Sequence, residues 1–293
     1  MKLKGVFTAI ITPFKEDESI DEDALRTLID FNINNGISGI VPCGTTGESP
    51  TLTNEEHERV IELTIQHVDK RVPVIAGTGS NCTKEAIRLS QDAEKMGVDA
   101  LLLVNPYYNK PTQEGLYRHF KAIANEVNIP CIVYNIKGRT GVNVETPTLM
   151  RLIKDCKNIT AVKEASGDLN QMKEVIAQRP EGFCVLSGDD NMVLDLIRAG
   201  GDGVISVASN IVPNKMSSMV KAALDENMRE AEQIHDELSP LFAVEFIETN
   251  PIPMKYMLSL KNMCKEIYRL PLCELANEHK EEVKKVMQNL KLI

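Results

Sequence analysis

No apolar run in this chain of 293 residues approaches the ~20 that a helix needs to cross a bilayer, which excludes a helical membrane span. The opening stretch 1–14 carries a short apolar run. It stops at Pro13 and lacks a small-residue cleavage site, so it reads as a buried strand and not as a signal peptide. Positive charge is scarce: 33 lysines and arginines face 42 aspartates and glutamates, a net charge of −9. An acidic chain without a basic patch is a poor partner for nucleic acid or an anionic membrane. Small anionic substrates stay open, provided a few cations gather at one site.

Metal-ligating and nucleophilic patterns are missing too. Seven cysteines (Cys43, Cys82, Cys131, Cys156, Cys184, Cys264, Cys273) are odd in number and scattered, with no CxxC and no Cys/His cluster. Neither a zinc site nor a disulfide framework follows, and a reducing cytoplasm fits such thiols. The five histidines form no HxxxH or HExxH pair, GxSxG is absent, and GTTGES (44–49) lacks the spacing of a nucleotide-binding loop. No metal and no cofactor is expected.

What is there is alternation. Apolar runs at 6–13, 39–44, 73–79, 100–107, 131–136, 159–166, 183–189 and 203–209 are apolar on both faces, the pattern of parallel strands covered on both sides. Between and after them, residues 21–35, 53–69, 83–96, 112–126, 146–155, 168–178, 190–199 and 213–226 have helical periodicity. Thr53 with Glu56 makes a capping box, Thr83 and Asp168 read as caps, and Gly36, Gly97 and Gly200 as stop signals. Eight strand–helix units with no dinucleotide fingerprint predict an α/β (β/α)8 TIM barrel over 1–226 and not an open doubly wound sheet. Residues 227–293 read as a C-terminal helical extension.

A barrel of this kind carries its chemistry where strands end. Lys163 lies in ITAVKEAS, inside an otherwise apolar strand. A desolvated lysine amine is a nucleophile for carbonyls, whereas a lysine buried for structure needs a carboxylate; the strand context leaves both open. Adjacent Glu164 should face the other way. Tyr134 ends the fifth strand and either relays protons or is a core aromatic. Arg139 follows it in KGRTG, where a guanidinium suits a carboxylate or simply meets solvent. The threonines and closely spaced amides of GTTGES can bind a carboxylate. Asp189 and Asp190 lack a third metal ligand, and one of them reads as a helix cap.

Taken in order, GVFTAIITPF, GTTGESPTL, AGTGSN, NPYYNKPTQEGLYRHF, YNIKGRTG, AVKEASG, GVISVASNIVP, FIETNPIP and YRLPLCEL resemble the dihydrodipicolinate synthase family of Schiff-base lyases, over essentially the whole chain. The resemblance implies that Lys163 forms an imine with pyruvate and that Tyr134 moves protons there. Thr45 would link Tyr134 to Tyr108, a tyrosine that in the family comes from a neighbouring subunit. It further implies that Thr46 binds the pyruvate carboxylate, the backbone at Ile205 contacts pyruvate, and Arg139 holds the carboxylate of L-aspartate 4-semialdehyde. Asn250 to Pro253 would be structural. The family implies a homotetramer built from two tight dimers, with L-lysine as an effector at Ser49, His57, Asn81, Glu85 and Tyr107. Sugar-acid aldolases and N-acetylneuraminate lyase share the lysine and the tyrosine, so Arg139 and the full GTTGE carry the choice of the synthase. Lys137 stands where the family usually has proline, Asn105 where threonine is common, and Pro50 and Asn54 replace the alanine and histidine of lysine-responsive members.

Overall fold

The computed structural model describes residues 3–293, and among them eight strands and twelve α-helices. They follow one another as β1 Gly5–Ala9, α1 Glu22–Asn34, β2 Gly39–Val41, α2 Asn54–Val68, β3 Ile75–Gly77, α3 Thr83–Met96, β4 Ala100–Val104 and α4 Gln113–Ala124. Then come β5 Cys131–Asn135, α5 Lys137–Thr140, α6 Thr146–Asp155, β6 Ile159–Glu164, α7 Leu169–Gln178, β7 Cys184–Ser187, α8 Val193–Arg198, β8 Gly203–Ser206 and α9 Pro213–Leu224. Three more helices, α10 Met228–Val244, α11 Ile252–Leu260 and α12 Asn277–Asn289, complete the chain.

All seven strand pairings are parallel, in the order β2-β1-β8-β7-β6-β5-β4-β3. An isolated parallel bridge between Ile40 and Val74 brings the two ends together, so the sheet curls into the expected barrel. Period-two alternation sorts its side chains. Phe7, Val41, Ile75, Leu102, Ile132, Tyr134, Ala161, Leu186 and Ile205 fill the interior. The intervening residues, such as Val6, Ile40, Leu101, Leu103, Val133 and Val162, pack against the helices. The β8–β1 seam is tight: a Cβ at Gly203 would lie 2.0 Å from the Gly5 carbonyl oxygen. Only glycine fits there, and its φ of +147° is one that side chains rarely permit.

The caps show how local chemistry sets the elements. Thr53 and Glu56 form the reciprocal capping box, and Asp168 accepts from the backbone N–H groups of Asn170 and Gln171. Gly97 closes α3 in the left-handed conformation. Thr83 is not a cap: it is the first residue of α3, and its hydroxyl pairs with His119 Nδ1. Neither Asp189 nor Asp190 caps α8, which begins only at Val193. The extension shares the outer core of the barrel through Leu238, Leu241, Met254, Met257 and Val283.

Candidate active site

Strand register builds the centre of the site. Lys163 on β6 stands opposite Tyr134 on β5, so both side chains point to the same face, the barrel interior. Lys163 is 5% exposed, and its Nζ lies 4.2 Å from the centroid of the Tyr134 ring. Glu164 points the other way. It accepts from Ser166 N–H at 2.8 Å and from the side-chain amides of Asn135 and Gln171 at 3.3 Å. Burial raises its carboxyl above the ordinary range and these hydrogen bonds oppose the rise, so Glu164 is no ion partner of Lys163. The paired-lysine alternative belongs instead to Lys255 on α11. That residue is fully buried and forms an ion pair with Glu48; burial lowers its ammonium below the usual lysine range while Glu48 works against the shift. Of the two buried lysines among the described residues, only Lys163 sits on a strand end in the barrel.

A cavity of about 450 Å³ opens at this end, lined among others by Gly44, Thr45, Tyr134, Ile136 and Arg139. Thr46 is buried beside it, and its hydroxyl accepts from Asn250 Nδ2 at 3.0 Å. Arg139 belongs to the one-turn helix α5, where the N–H groups of Arg139 and Thr140 donate to the Ile136 carbonyl. Lys137 therefore begins a regular helical turn. The Arg139 guanidinium donates to the Asn250 carbonyl at 3.2 Å. Asn250, read from sequence as structural, thus bridges Thr46 and Arg139, and nothing local in ETNPIP announces it. Ile205 is buried in the interior, paired with Phe7. Asn105 is buried and ties β4 to β5 by donating to Asn135 Oδ1 at 2.9 Å.

The second group of residues lines the same cavity. Ser49, His57, Glu85 and Tyr107 are all in its wall. Asn81 stands at its edge, donating to the Tyr107 carbonyl at 3.2 Å. His57 is buried, and its Nε2 pairs with the Gly77 carbonyl at 2.8 Å. Burial lowers its imidazole below the ordinary histidine range, so the ring is neutral and Nδ1 is left as an unfilled acceptor. Ser80 donates its hydroxyl to Glu85. Tyr108 is not brought to the site: it is 90% exposed, with φ +73°.

A buried lysine and a tyrosine on adjacent parallel strands, at the mouth of a (β/α)8 barrel, define the class of carbonyl-condensing lyases that work through an imine. Within that class the chain belongs to the dihydrodipicolinate synthetase family, whose model matches residues 2–290. It is 56% identical over 290 residues to the 4-hydroxy-tetrahydrodipicolinate synthase of Syntrophus aciditrophicus, covering 99% of both chains. Among solved structures it resembles the chloride-inhibited dihydrodipicolinate synthase of Acinetobacter baumannii complexed with pyruvate, at 42% identity and a TM-score of 0.97, covering 99% of both chains. It also resembles the lysine-bound enzyme of Cyanidioschyzon merolae, at 38% identity and a TM-score of 0.97, again covering 99% of both chains.

Proposed function

We propose that this chain is a 4-hydroxy-tetrahydrodipicolinate synthase, a lyase of lysine and diaminopimelate biosynthesis that condenses pyruvate with L-aspartate 4-semialdehyde. The observation that carries the reading is the registered Lys163–Tyr134 pair beneath a cavity that also holds Thr45 and Arg139. The Lys163 amine attacks the keto carbon of pyruvate, and loss of water leaves an imine. The imine withdraws electrons, a methyl proton departs, and the enamine carbon attacks the aldehyde. The alkoxide formed takes up a proton. The amino group of the second substrate then displaces Lys163 from the imine carbon, which closes the ring and frees the enzyme.

Each role has a physical support. Tyr134 is the hydroxyl-bearing side chain in contact with Lys163 and serves as the proton carrier. Thr46 offers a buried hydroxyl to the pyruvate carboxylate, beside the backbone of Ile205 in the barrel interior. Arg139, on a fixed helical turn, takes the carboxylate of the semialdehyde. Thr45 passes protons toward a Tyr108 supplied by the partner subunit, because this chain's own Tyr108 projects into solvent. A homotetramer of two such dimers follows from this reading. So does L-lysine as an effector in the Ser49, His57, Asn81, Glu85 and Tyr107 part of the cavity. A cytoplasmic location is supported by the seven cysteines, all of them free thiols, which suit a reducing compartment. No helix among the described residues is long and apolar enough to cross a membrane.

Borohydride reduction in the presence of pyruvate tests the reading. One lactyl-type adduct is expected, on Lys163, and Lys163→Arg is expected to lose both adduct and turnover because a guanidinium stays protonated. An adduct that persists in Lys163→Ala, or that maps to Lys255, would overturn the assignment.

A further inference from the structure

The C-terminal extension reaches into the site through a buried ion pair. Between β2 and α2 the chain makes successive turns: Gly47 N–H donates to the Gly44 carbonyl at 3.1 Å, Glu48 N–H to Thr45 at 3.1 Å, and Thr51 N–H to Glu48 at 2.9 Å. Thr45 and Thr46 therefore ride on a short loop whose shape depends on Glu48. That residue has φ +53°, a left-handed backbone that a side chain adopts only when its surroundings hold it there. Its carboxylate is fully buried and pairs with Lys255 Nζ, which is equally buried.

Aromatic rings surround this ammonium, with the Phe14 centroid 4.2 Å away and that of Tyr268 at 5.4 Å. A few residues earlier, Asn250 donates to the Thr46 hydroxyl and accepts from Arg139. The stretch 250–255 thus grips the loop at two points, Thr46 directly and Glu48 by charge. Stability alone does not call for ions here, because apolar side chains of similar volume commonly replace a buried ion pair without loss. What the pair adds is direction: it fixes one carboxylate, and so one loop geometry, two residues from Thr46.

We propose that Glu48 and Lys255 are positioning residues for the reaction: their ion pair holds the turn that presents Thr45 and Thr46, so that α11 sets the affinity for the keto-acid substrate. The proposal rests on the reading of Thr46 as the carboxylate ligand. Because a carboxylate is held alike in ground and transition states, disorder of the turn raises KM for pyruvate through Thr46, and because Thr45 rides on the same turn and carries protons, it lowers kcat as well.

The decisive variant is the double substitution Glu48→Gln with Lys255→Met, which removes both buried charges together. It is expected to fold with a thermal midpoint near that of the wild-type protein, while KM for pyruvate rises roughly tenfold or more and kcat falls as well. Borohydride trapping at graded pyruvate concentrations should show the same displacement. The single variant Glu48→Gln should combine the higher KM with a lower midpoint, since it strands the Lys255 charge. A folded double variant with wild-type KM for pyruvate would overturn the proposal. Failure of the wild-type protein to trap pyruvate at all would instead strike the reading of Lys163 and Thr46 on which it stands.

Discussion

Gly188, just past the end of β7, decides how much room the Lys163 side chain has. A Cβ built there would lie 2.7 Å from the Ala165 Cβ and 2.9 Å from Lys163 Cε, both inside contact distance. The Lys163 side chain can yield only by moving its amine, because it is buried against the Tyr134 ring. Gly188→Ala is therefore expected to slow imine formation roughly 10- to 100-fold, the order of loss that a misplacement of about 1 Å brings. The measurement is the rate of borohydride-trapped adduct at saturating pyruvate, with circular dichroism to confirm the fold. A wild-type rate would mean that the lysine is not confined by this glycine. Nothing in the local sequence around Gly188 announces the role; the contact exists only once β6 and β7 are paired with Lys163 opposite Leu186.

Elements differ in how far they could be read ahead. Strands buried on both faces announce themselves as apolar runs, and each of the eight was visible. Their ends were not: Ile10 and Ile11 lie buried beyond β1, and while the Ile10 N–H still donates to the Val41 carbonyl of β2, the Ile11 N–H turns to Asn210 Oδ1. The capping box at Thr53 was legible because its two partners, Thr53 and Glu56, lie three residues apart in sequence. The cap expected of Asp189 or Asp190 is absent, and Asp190 instead accepts from the N–H groups of Val207 and Ala208 at 2.8 and 2.9 Å, which come from beyond β8 and are invisible in the local sequence. Asn250 reads as structural from sequence, and its link to the site is hidden for the same reason, Thr46 being 204 residues away. Between elements lies the second part of the cavity, with His57 from α2 facing Glu85 from α3. The unfilled Nδ1 of the neutral His57 and the Glu85 carboxylate are both acceptors and suit an ammonium group. Titration with L-lysine at fixed substrate concentrations is expected to give partial inhibition that Glu85→Ala removes. An unchanged rate up to millimolar lysine would leave these residues as plain wall contacts.

At the scale of the whole molecule, extension and barrel meet in a second buried contact of opposite character. Glu245, at the end of α10, is fully buried, and neither of its carboxyl oxygens has a conventional donor. Asp190 and Asp189, from the loop after β7, face it. Burial above all, then the charges of these two aspartates and a side-chain hydrogen bond with Asp190, hold the Glu245 carboxyl well above the ordinary value of 4.5. Burial raises Asp190 as well. With a proton retained on Glu245, the two acids can sit together while Asp190 keeps its backbone partners. The consequence for stability has a definite sign. Below the unfolded value of 4.5 both folded and unfolded chains carry the proton, and the contribution is intact. As pH rises from there through the raised folded value, the unfolded chain releases the proton first, and stability falls. Carboxylates in surface ion pairs, such as Glu22 with Arg59, have lowered values and act in the opposite sense at acid pH, so the comparison must be made against a variant. Glu245→Leu fills the same space without a titrating group. Its thermal midpoint is expected to match the wild-type protein near pH 4.5 and to exceed it by a few degrees at pH 8, each kcal/mol being worth about 2–4 °C in a chain of this size. A midpoint difference that does not grow with pH would show that Glu245 is ionised in the folded protein.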